Sequence, residues 1–318
     1  MKQYTDTIKA TAKRLLEDGT VDCFIGFRKG TMPMINHPVV ITDAAKADTL
    51  YWDGNCGNNL ALYLTGRKAD EKIGIVATGC VSRNINLLIA EGQVTREQLY
   101  IVGAPCKGMI ERRSVEAAVG HREILSVNEE GEKLIVEGKG FKEELNRADH
   151  LQRNCVTCRH HNPVEHNDIL GSEVSEPAEA PVFTDLEEAA AKSDEDRWNF
   201  FQQTFESCIR CYACRNACPM CYCPTCFVDE AKPQWVGKSS DKVDTMTFHF
   251  LRAFHLAGRC TDCGACERVC PVDIPVRYLT NKLNRDAQEF YDYSAGLVAG
   301  ERPLLDQYKL TDIEDFIK

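Results

Sequence analysis

Residues 206–227, ESCIRCYACRNACPMCYCPTCF, place seven cysteines between Cys208 and Cys226. Four of them form Cys208-x2-Cys211-x2-Cys214-x3-Cys218-Pro219, and the pattern returns as Cys260-x2-Cys263-x2-Cys266-x3-Cys270-Pro271. This is the spacing of cubane 4Fe–4S ligation. Two intervening residues let a tight loop deliver successive thiolates to neighbouring corners of one cube, with backbone N–H groups aimed at the sulfurs. Three intervening residues followed by proline send the fourth cysteine to the other cluster. Cluster one is therefore expected on Cys208, Cys211, Cys214 and Cys270, and cluster two on Cys260, Cys263, Cys266 and Cys218. Zinc, the rival for CxxC pairs, does not account for two complete repeats each closed by Cys-Pro. A cube with four thiolates has no open coordination position, so this module is expected to carry electrons and not to make bonds.

Cys221, Cys223 and Cys226 are left over, one thiolate short of a cubane. Three readings stand: a further cluster completed by Cys56, by a partner chain or by a non-cysteine ligand; packed thiols lining the surroundings of cluster two; or a labile, redox-active thiol set. Cys56 precedes an expected helix at 57–65, whose N-terminus would lower a thiol pKa; the alternative is a small packed residue. Cys23 lies in the apolar run VDCFIGF and is expected in the core. Arg210, Arg215, Arg259 and Arg268 flank the cysteine repeats, either tuning the clusters or facing solvent or a partner. His255, five residues before Cys260, reads as a packing or hydrogen-bonding residue, with a ligand or proton role as the alternative.

A lone CxxC, Cys155-Val-Thr-Cys158, is weak by itself. Two further cysteines gain meaning from the elements around them. KIGIVAT (72–78) and LYIVGAP (99–105) read as buried strands, and CVSRNINLLIAEG (80–92) between them as a helix ended by Gly92. That is a βαβ unit with parallel strands. Cys80 follows the first strand and Cys106 the second, so both sit on one edge of the sheet, where ligands gather in α/β folds. The CxxC loop can then close a third cubane on Cys80, Cys106, Cys155 and Cys158, against the alternative of ordinary buried cysteines. REILSVNEEGEKLIVEG (122–138) adds a hairpin around a Glu-Gly turn.

Four regions follow. Residues 1–171 form a small α/β domain with a partly parallel sheet. Residues 172–196, with nine acidic side chains and one lysine, read as an acidic linker carrying a short helix at 184–192. Residues 197–293 form an all-α, ferredoxin-like domain for two clusters, and 294–318 a tail. In that domain DKVDTMTFHFLRAFHLAG (241–258) is expected as a helix with Val243, Met246, Phe250, Phe254 and Ala257 on one face. PVRYLTNKLNRDAQEFYDY (275–293) is expected as another, with Pro275 in its first turn.

Between Cys218 and Cys260 lie 41 residues that include a helix, more than in compact bacterial ferredoxins. FHLAGRCTDCGACERVCPVDIP (254–275) resembles the α-helical ferredoxin module of heterodisulfide reductase C subunits and succinate dehydrogenase iron–sulfur subunits. Residues 71–171 resemble the β subunit of the deazaflavin-coenzyme-reducing hydrogenase and formate dehydrogenase family. This second resemblance implies one 4Fe–4S cluster on Cys80, Cys106, Cys155 and Cys158. It also implies a flavin, but the family's N-terminal Gly-Gly-x-x-Thr stretch is missing, and DGNCGNNLALYL (53–64) is its nearest substitute for FAD.

The totals fit. Among 318 residues are 17 cysteines, an odd number in a long chain, which speaks for metal ligation over a disulfide framework and for a reducing, anoxic cytoplasm. A net charge of −10 speaks against nucleic acid or an anionic membrane as the main partner. No apolar run approaches the roughly 18 residues of a membrane span, and MKQYTDTIKATAKRLLEDG is a polar amphipathic helix, not a signal. The expectation is an iron–sulfur electron-transfer subunit whose partners are other subunits of an anaerobic redox complex: a hydrogenase, a formate dehydrogenase or a heterodisulfide reductase-like flavoprotein. The alternative is a flavin-containing reductase of a deazaflavin, a nicotinamide or a quinone.

Overall fold

The computed structural model of the protein describes residues 2–177, 184–308 and 310. The chain divides into two compact units: Met1–Ser82 with Val94–Ala180, and Arg83–Gln93 with Pro181–Lys318.

The first unit opens with α1 (Lys2–Glu17), which buries Ile8, Ala12 and Leu15, one face at helical spacing. Its main sheet is built from β1 (Cys23–Lys29), β2 (Asn36–Ile41), β3 (Ile73–Ala77), then, after α2 (Gly79–Ala90), β4 (Leu99–Gly103). Next come α3 (Arg112–Ala118), β5 (Ile124–Glu130), β6 (Lys133–Gly138), β7 (Phe141–Asn146), the single-turn α4 (Arg153–Val156) and β8 (Asp168–Ile169). The five-stranded sheet has the order β2-β1-β3-β4-β8; β2 is antiparallel, and the other pairings are parallel. The βαβ unit read from sequence is β3-α2-β4, with Ile73 opposite Leu99 and Ala77 opposite Gly103. The expected hairpin is β5-β6, and β7 adds a third antiparallel strand. Leu134 and Val136 of that small sheet pack with Val115 of α3, with Val119 just after it and with Ile110. Gly92 ends α2 in the left-handed region, its N–H bonded to the Ile89 carbonyl at 3.0 Å.

The second unit is helical: α5 (Thr184–Ala190), α6 (Asp194–Glu206), α7 (Ala213–Asn216), α8 (Lys242–His255), α9 (Ala265–Arg268) and α10 (Arg277–Tyr291). Residues 178–183 of the expected linker and most of the expected tail beyond 308 lie outside the described residues. The rest of the linker is less of a tether than its charge implies. It carries α5 and the first turn of α6, and Leu186 and Ala189 of α5 are buried, with α5 against α10. The stretch 83–93 is tied into this unit by polar groups. Arg83 Nε donates to the Ala295 carbonyl (2.9 Å) and Asn86 Nδ2 to the Gly296 carbonyl (3.1 Å). Gly296 has a φ of 68°, and a Cβ there would lie 2.1 Å from the Arg83 carbonyl oxygen, so no other residue fits this approach.

Helix α8 departs from its expected orientation. Val243, Phe250 and Phe254 are 69%, 49% and 45% exposed. The buried face is Thr245, Phe248, His249, Arg252, Ala253 and Leu256, with 245, 249, 252 and 256 at helical spacing. Three of the five expected residues therefore point outward, Met246 packs against the Phe205 cluster, and a face with two cationic or titratable residues points inward. Phe248 packs with Cys214, Val228 and Val236 and meets the Tyr212 ring edge-on at 5.2 Å. Phe248→Ala is expected to cost about 3–5 kcal/mol and Phe250→Ala about 1 kcal/mol or less, read from anaerobic denaturant unfolding of the two variants; equal costs would contradict the orientation of α8.

Candidate metal centres

In the first unit Cys80 is the second residue of α2, which leaves the C-terminal end of β3, and its sulfur lies 3.4 Å from the Thr78 hydroxyl. Cys106 follows β4, with its N–H on the His161 carbonyl at 2.9 Å. Cys155 lies in α4, and Cys158 follows one residue after it. Burial pushes the Cys106 thiol well above the ordinary range; Cys155, Cys80 and Cys158 add to the shift, and the Gly108 N–H opposes it. The sheet edge and the CxxC loop thus bring all four cysteines within electrostatic reach of one another. Backbone donors converge on them: Gly108 N–H on the Cys106 sulfur and Met109 N–H on the Cys155 sulfur, both at 3.3 Å. A Cβ on Gly79 would lie 2.1 Å from the His160 carbonyl oxygen, so glycine is what lets the 158–163 loop close over Cys80.

In the second unit the two repeats adopt the same backbone. Arg210 and Tyr212 (φ 51° and 58°) match Asp262 and Gly264 (φ 57° and 70°). Each pair lies on either side of the second cysteine and precedes a four-residue helix, α7 or α9. Left-handed residues in such a loop turn successive N–H groups toward one anionic centre. Arg210 N–H donates to the Cys208 sulfur (3.4 Å) and Ile274 N–H to the Cys270 sulfur (3.3 Å). Burial raises the Cys214 thiol, with Cys208, Cys211 and Cys270 adding and Arg252 opposing. Burial also raises Cys266 well above the ordinary range, with Cys260, Cys218 and Cys263 adding and Arg252 again opposing. Cys260 is pushed up to about 12 by burial, then by Asp262 and Cys263. Cys270 of the second repeat is thus within electrostatic reach of Cys214, and Cys218 of the first repeat within reach of Cys266; Cys218 also has a side-chain hydrogen bond with Cys221.

Two residues on α8 that drew no attention in the sequence stand at the centre. His249 Nε2 lies 3.2 Å from the Cys208 sulfur, its ring stacked on Phe205 at 4.4 Å. Burial, with Arg252 and Arg210 nearby, lowers its pKa to about 3, so the ring is neutral. Arg252 is 3% exposed. Burial works against its charge, but Cys266, Cys218, Cys221 and Cys214 more than offset this and hold it above the ordinary guanidinium range. It donates to the Cys214 carbonyl at 3.1 Å, while its Nε has no hydrogen-bond partner. A buried cation needs buried anions, and the groups facing it are thiols of both repeats. Sulfurs carrying negative charge, as in a cluster, meet that need; protonated thiols do not. Polar residues at helical spacing, Thr245, His249 and Arg252, were the available signal.

The flanking arginines separate. Arg210 is buried, donating to the Gly237 carbonyl and the Tyr212 hydroxyl (2.6 and 2.7 Å) and to the Ser239 carbonyl. Arg215 pairs with Asp229 at 2.7 Å and Arg259 with Glu91 at 2.5 Å. Arg268 donates to the Cys263 carbonyl at 3.2 Å. Arg277, unremarked in the sequence, pairs with Asp262 of the second cysteine loop at 2.6 Å.

Cys56 is not at a helix start. The only helical segment in 57–65 is a single 3-10 turn, Leu60–Tyr63, capped by Asn59. Burial pushes the Cys56 thiol up instead of down, followed by Asp53, and the Asn36 amide lies 3.4 Å from its sulfur. It is packed among these groups. Cys23 is buried in β1, with its thiol raised to about 12 by burial. In the glycine-rich loop 53–59, Gly54 N–H donates to the Glu129 carboxylate at 2.6 Å. Among the described residues no group of three or more His, Cys, Asp or Glu is arranged to hold a single metal ion. No helix among them is long and apolar enough to cross a membrane.

Arg252→Gln should lower the reduction potentials of the centres on both repeats by about 60 mV, one tenfold step for one electron, in a potentiometric titration of anaerobic protein. Unchanged potentials would remove Arg252 from between them.

Residues 204–274 match the family model for a 4Fe–4S dicluster domain. The chain is 23% identical to the F420-dependent formate dehydrogenase subunit beta of Methanocaldococcus jannaschii, over 93% of each chain. It is 22% identical to the F420-dependent formate dehydrogenase 1 subunit beta of Methanococcus maripaludis, over 91% of this chain and 90% of that one. Among solved structures, a chain of the F420-reducing NiFe hydrogenase complex from Methanosarcina barkeri aligns with 50% of this chain and 63% of its own, at 17% identity and a TM-score of 0.38. Along nearly its whole length, then, the chain is similar to the β subunits of F420-dependent formate dehydrogenases, with a 4Fe–4S dicluster domain within its helical unit.

Proposed function

We propose that this chain is the iron–sulfur electron-transfer subunit of a formate dehydrogenase-type complex, with three 4Fe–4S clusters. Cluster one is held by Cys208, Cys211, Cys214 and Cys270, cluster two by Cys260, Cys263, Cys266 and Cys218, and cluster three by Cys80, Cys106, Cys155 and Cys158. What supports the reading is that Cys106 lies within electrostatic reach of Cys80, Cys155 and Cys158, Cys214 of Cys208, Cys211 and Cys270, and Cys266 of Cys260, Cys218 and Cys263, with backbone N–H donors on Cys106, Cys208 and Cys260. The dicluster match and the curated relatives support it.

Bound 4Fe–4S groups supply reversible one-electron chemistry. The residues of this chain set the conditions. Left-handed loops aim N–H groups at the thiolates, and Arg252 and the N–H donors favour the more negative, reduced state. Phe205, Phe248 and Ile274 exclude water from the sulfurs. The partners are other subunits of the complex, one of which carries out the substrate chemistry.

A second reading, a flavin-containing reductase, has one observation behind it. The curated relatives are named for F420, a deazaflavin that takes a hydride, whereas each cluster passes single electrons; a flavin converts between the two. Flavin released by acid in a 1:1 ratio to chain supports this reading, and none released overturns it.

For the main reading, Cys106→Ala, Cys214→Ala and Cys266→Ala should each remove or alter one EPR-active centre of the reduced chain and leave the others. A Cys106→Ala variant with every signal intact would eliminate cluster three.

A further inference from the structure

Cys221, Cys223 and Cys226 have no place in those three sets. They line a cavity of about 200 Å³ in the second unit, together with Arg215, Arg252 and His255. We infer that this cavity is a fourth iron–sulfur site, with a cubane held by Cys221, Cys223, Cys226 and His255.

Four observations carry it. The donors are of the right kind and number: three thiols and an imidazole facing one space. His255 stands one helical turn after Arg252 on α8, and the ring of Phe227 meets its imidazole edge-on at 4.7 Å, fixing its orientation. The cavity is several times the roughly 30 Å³ share of one water molecule, more space than a single coordinated ion requires. Finally, Arg252 is buried, lines the cavity, and has an Nε without a hydrogen-bond partner. An anionic cluster gives that cation a counter-charge on the cavity side as well as on the side of the two repeats. An apolar ligand would leave the Nε desolvated.

The backbone is shaped for it. Cys221 N–H turns back to the Cys218 carbonyl at 3.1 Å, and Asp229 N–H closes on the Cys226 carbonyl at 2.8 Å. The chain thus forms a loop beginning and ending at cysteines of the cavity wall. Arg215, paired with Asp229, stands beside Cys226. The Cys221 and Cys218 sulfurs lie within hydrogen-bond distance of each other, so the fourth site adjoins cluster two. One electron passes between them, one cluster oxidised as the other is reduced, with no bond made and no proton required. His255 in place of a fourth thiolate leaves the site one unit less negative, which raises its potential relative to an all-thiolate cube.

The inference rests on the electron-transfer reading above but is tested on other residues. The Cys223→Ser/Cys226→Ser double variant of the full chain, purified without oxygen, should lose about four iron atoms relative to the parent, with the signals of the other centres retained. Pulsed EPR of the parent should show nitrogen hyperfine coupling on one cluster, absent in His255→Cys, which keeps its iron. Unchanged iron in the double variant overturns the site, as does loss of about one zinc in place of iron. Iron loss without nitrogen coupling in the parent overturns His255 as its ligand. If the double variant fails to fold, the His255→Cys comparison decides alone. Loss of a centre in Cys106→Ala, Cys214→Ala or Cys266→Ala is measured separately, so failure of the three-cluster reading is distinguishable from failure of this one.

Discussion

The second unit is arranged around one buried cation. Arg252 lies on the inner face of α8 among the sulfurs of Cys214, Cys218, Cys221 and Cys266, with a single backbone carbonyl as a hydrogen-bond acceptor. A guanidinium taken from water is costly unless anions accompany it. The anions here are sulfurs delivered by both cysteine repeats. That requirement orients α8, turns its polar face inward and leaves Val243, Phe250 and Phe254 outside.

The same cysteines belong to the packed interior of the helical unit. Its apolar clusters include cysteine sulfurs: Cys270 and Cys208 pack with Phe205 and Ile274, and Cys214 and Cys226 with Phe248 and Val236. Bound clusters would couple folding to metal loading, since the buried thiols must give up protons that burial makes hard to release.

The sequence made the dicluster domain readable because cubane ligation is local. A CxxCxxC loop is a geometry that a dozen residues determine. The β3-α2-β4 unit was readable for a related reason, a clean switch of hydrophobic period. Three features were not. The orientation of α8 was misread because a hydrophobic stripe marks a core only when that core is apolar; here it is sulfur and charge. The helix expected at 184–192 is α5, but its packing against α10 was not readable, because two buried residues, Leu186 and Ala189, are a faint signal in an acidic stretch. Cys56 was placed at a helix start that the chain does not form: the segment makes only one 3-10 turn beginning at Leu60.

The central claim is that this chain relays single electrons through cysteine-bound clusters packed around Arg252. An EPR-monitored potentiometric titration of the anaerobic chain tests it most directly. The account predicts separate one-electron waves and, on full reduction, magnetic interaction between the signals of the two repeats, which share Arg252. A single two-electron wave, or reduced protein with no iron signal, would contradict it.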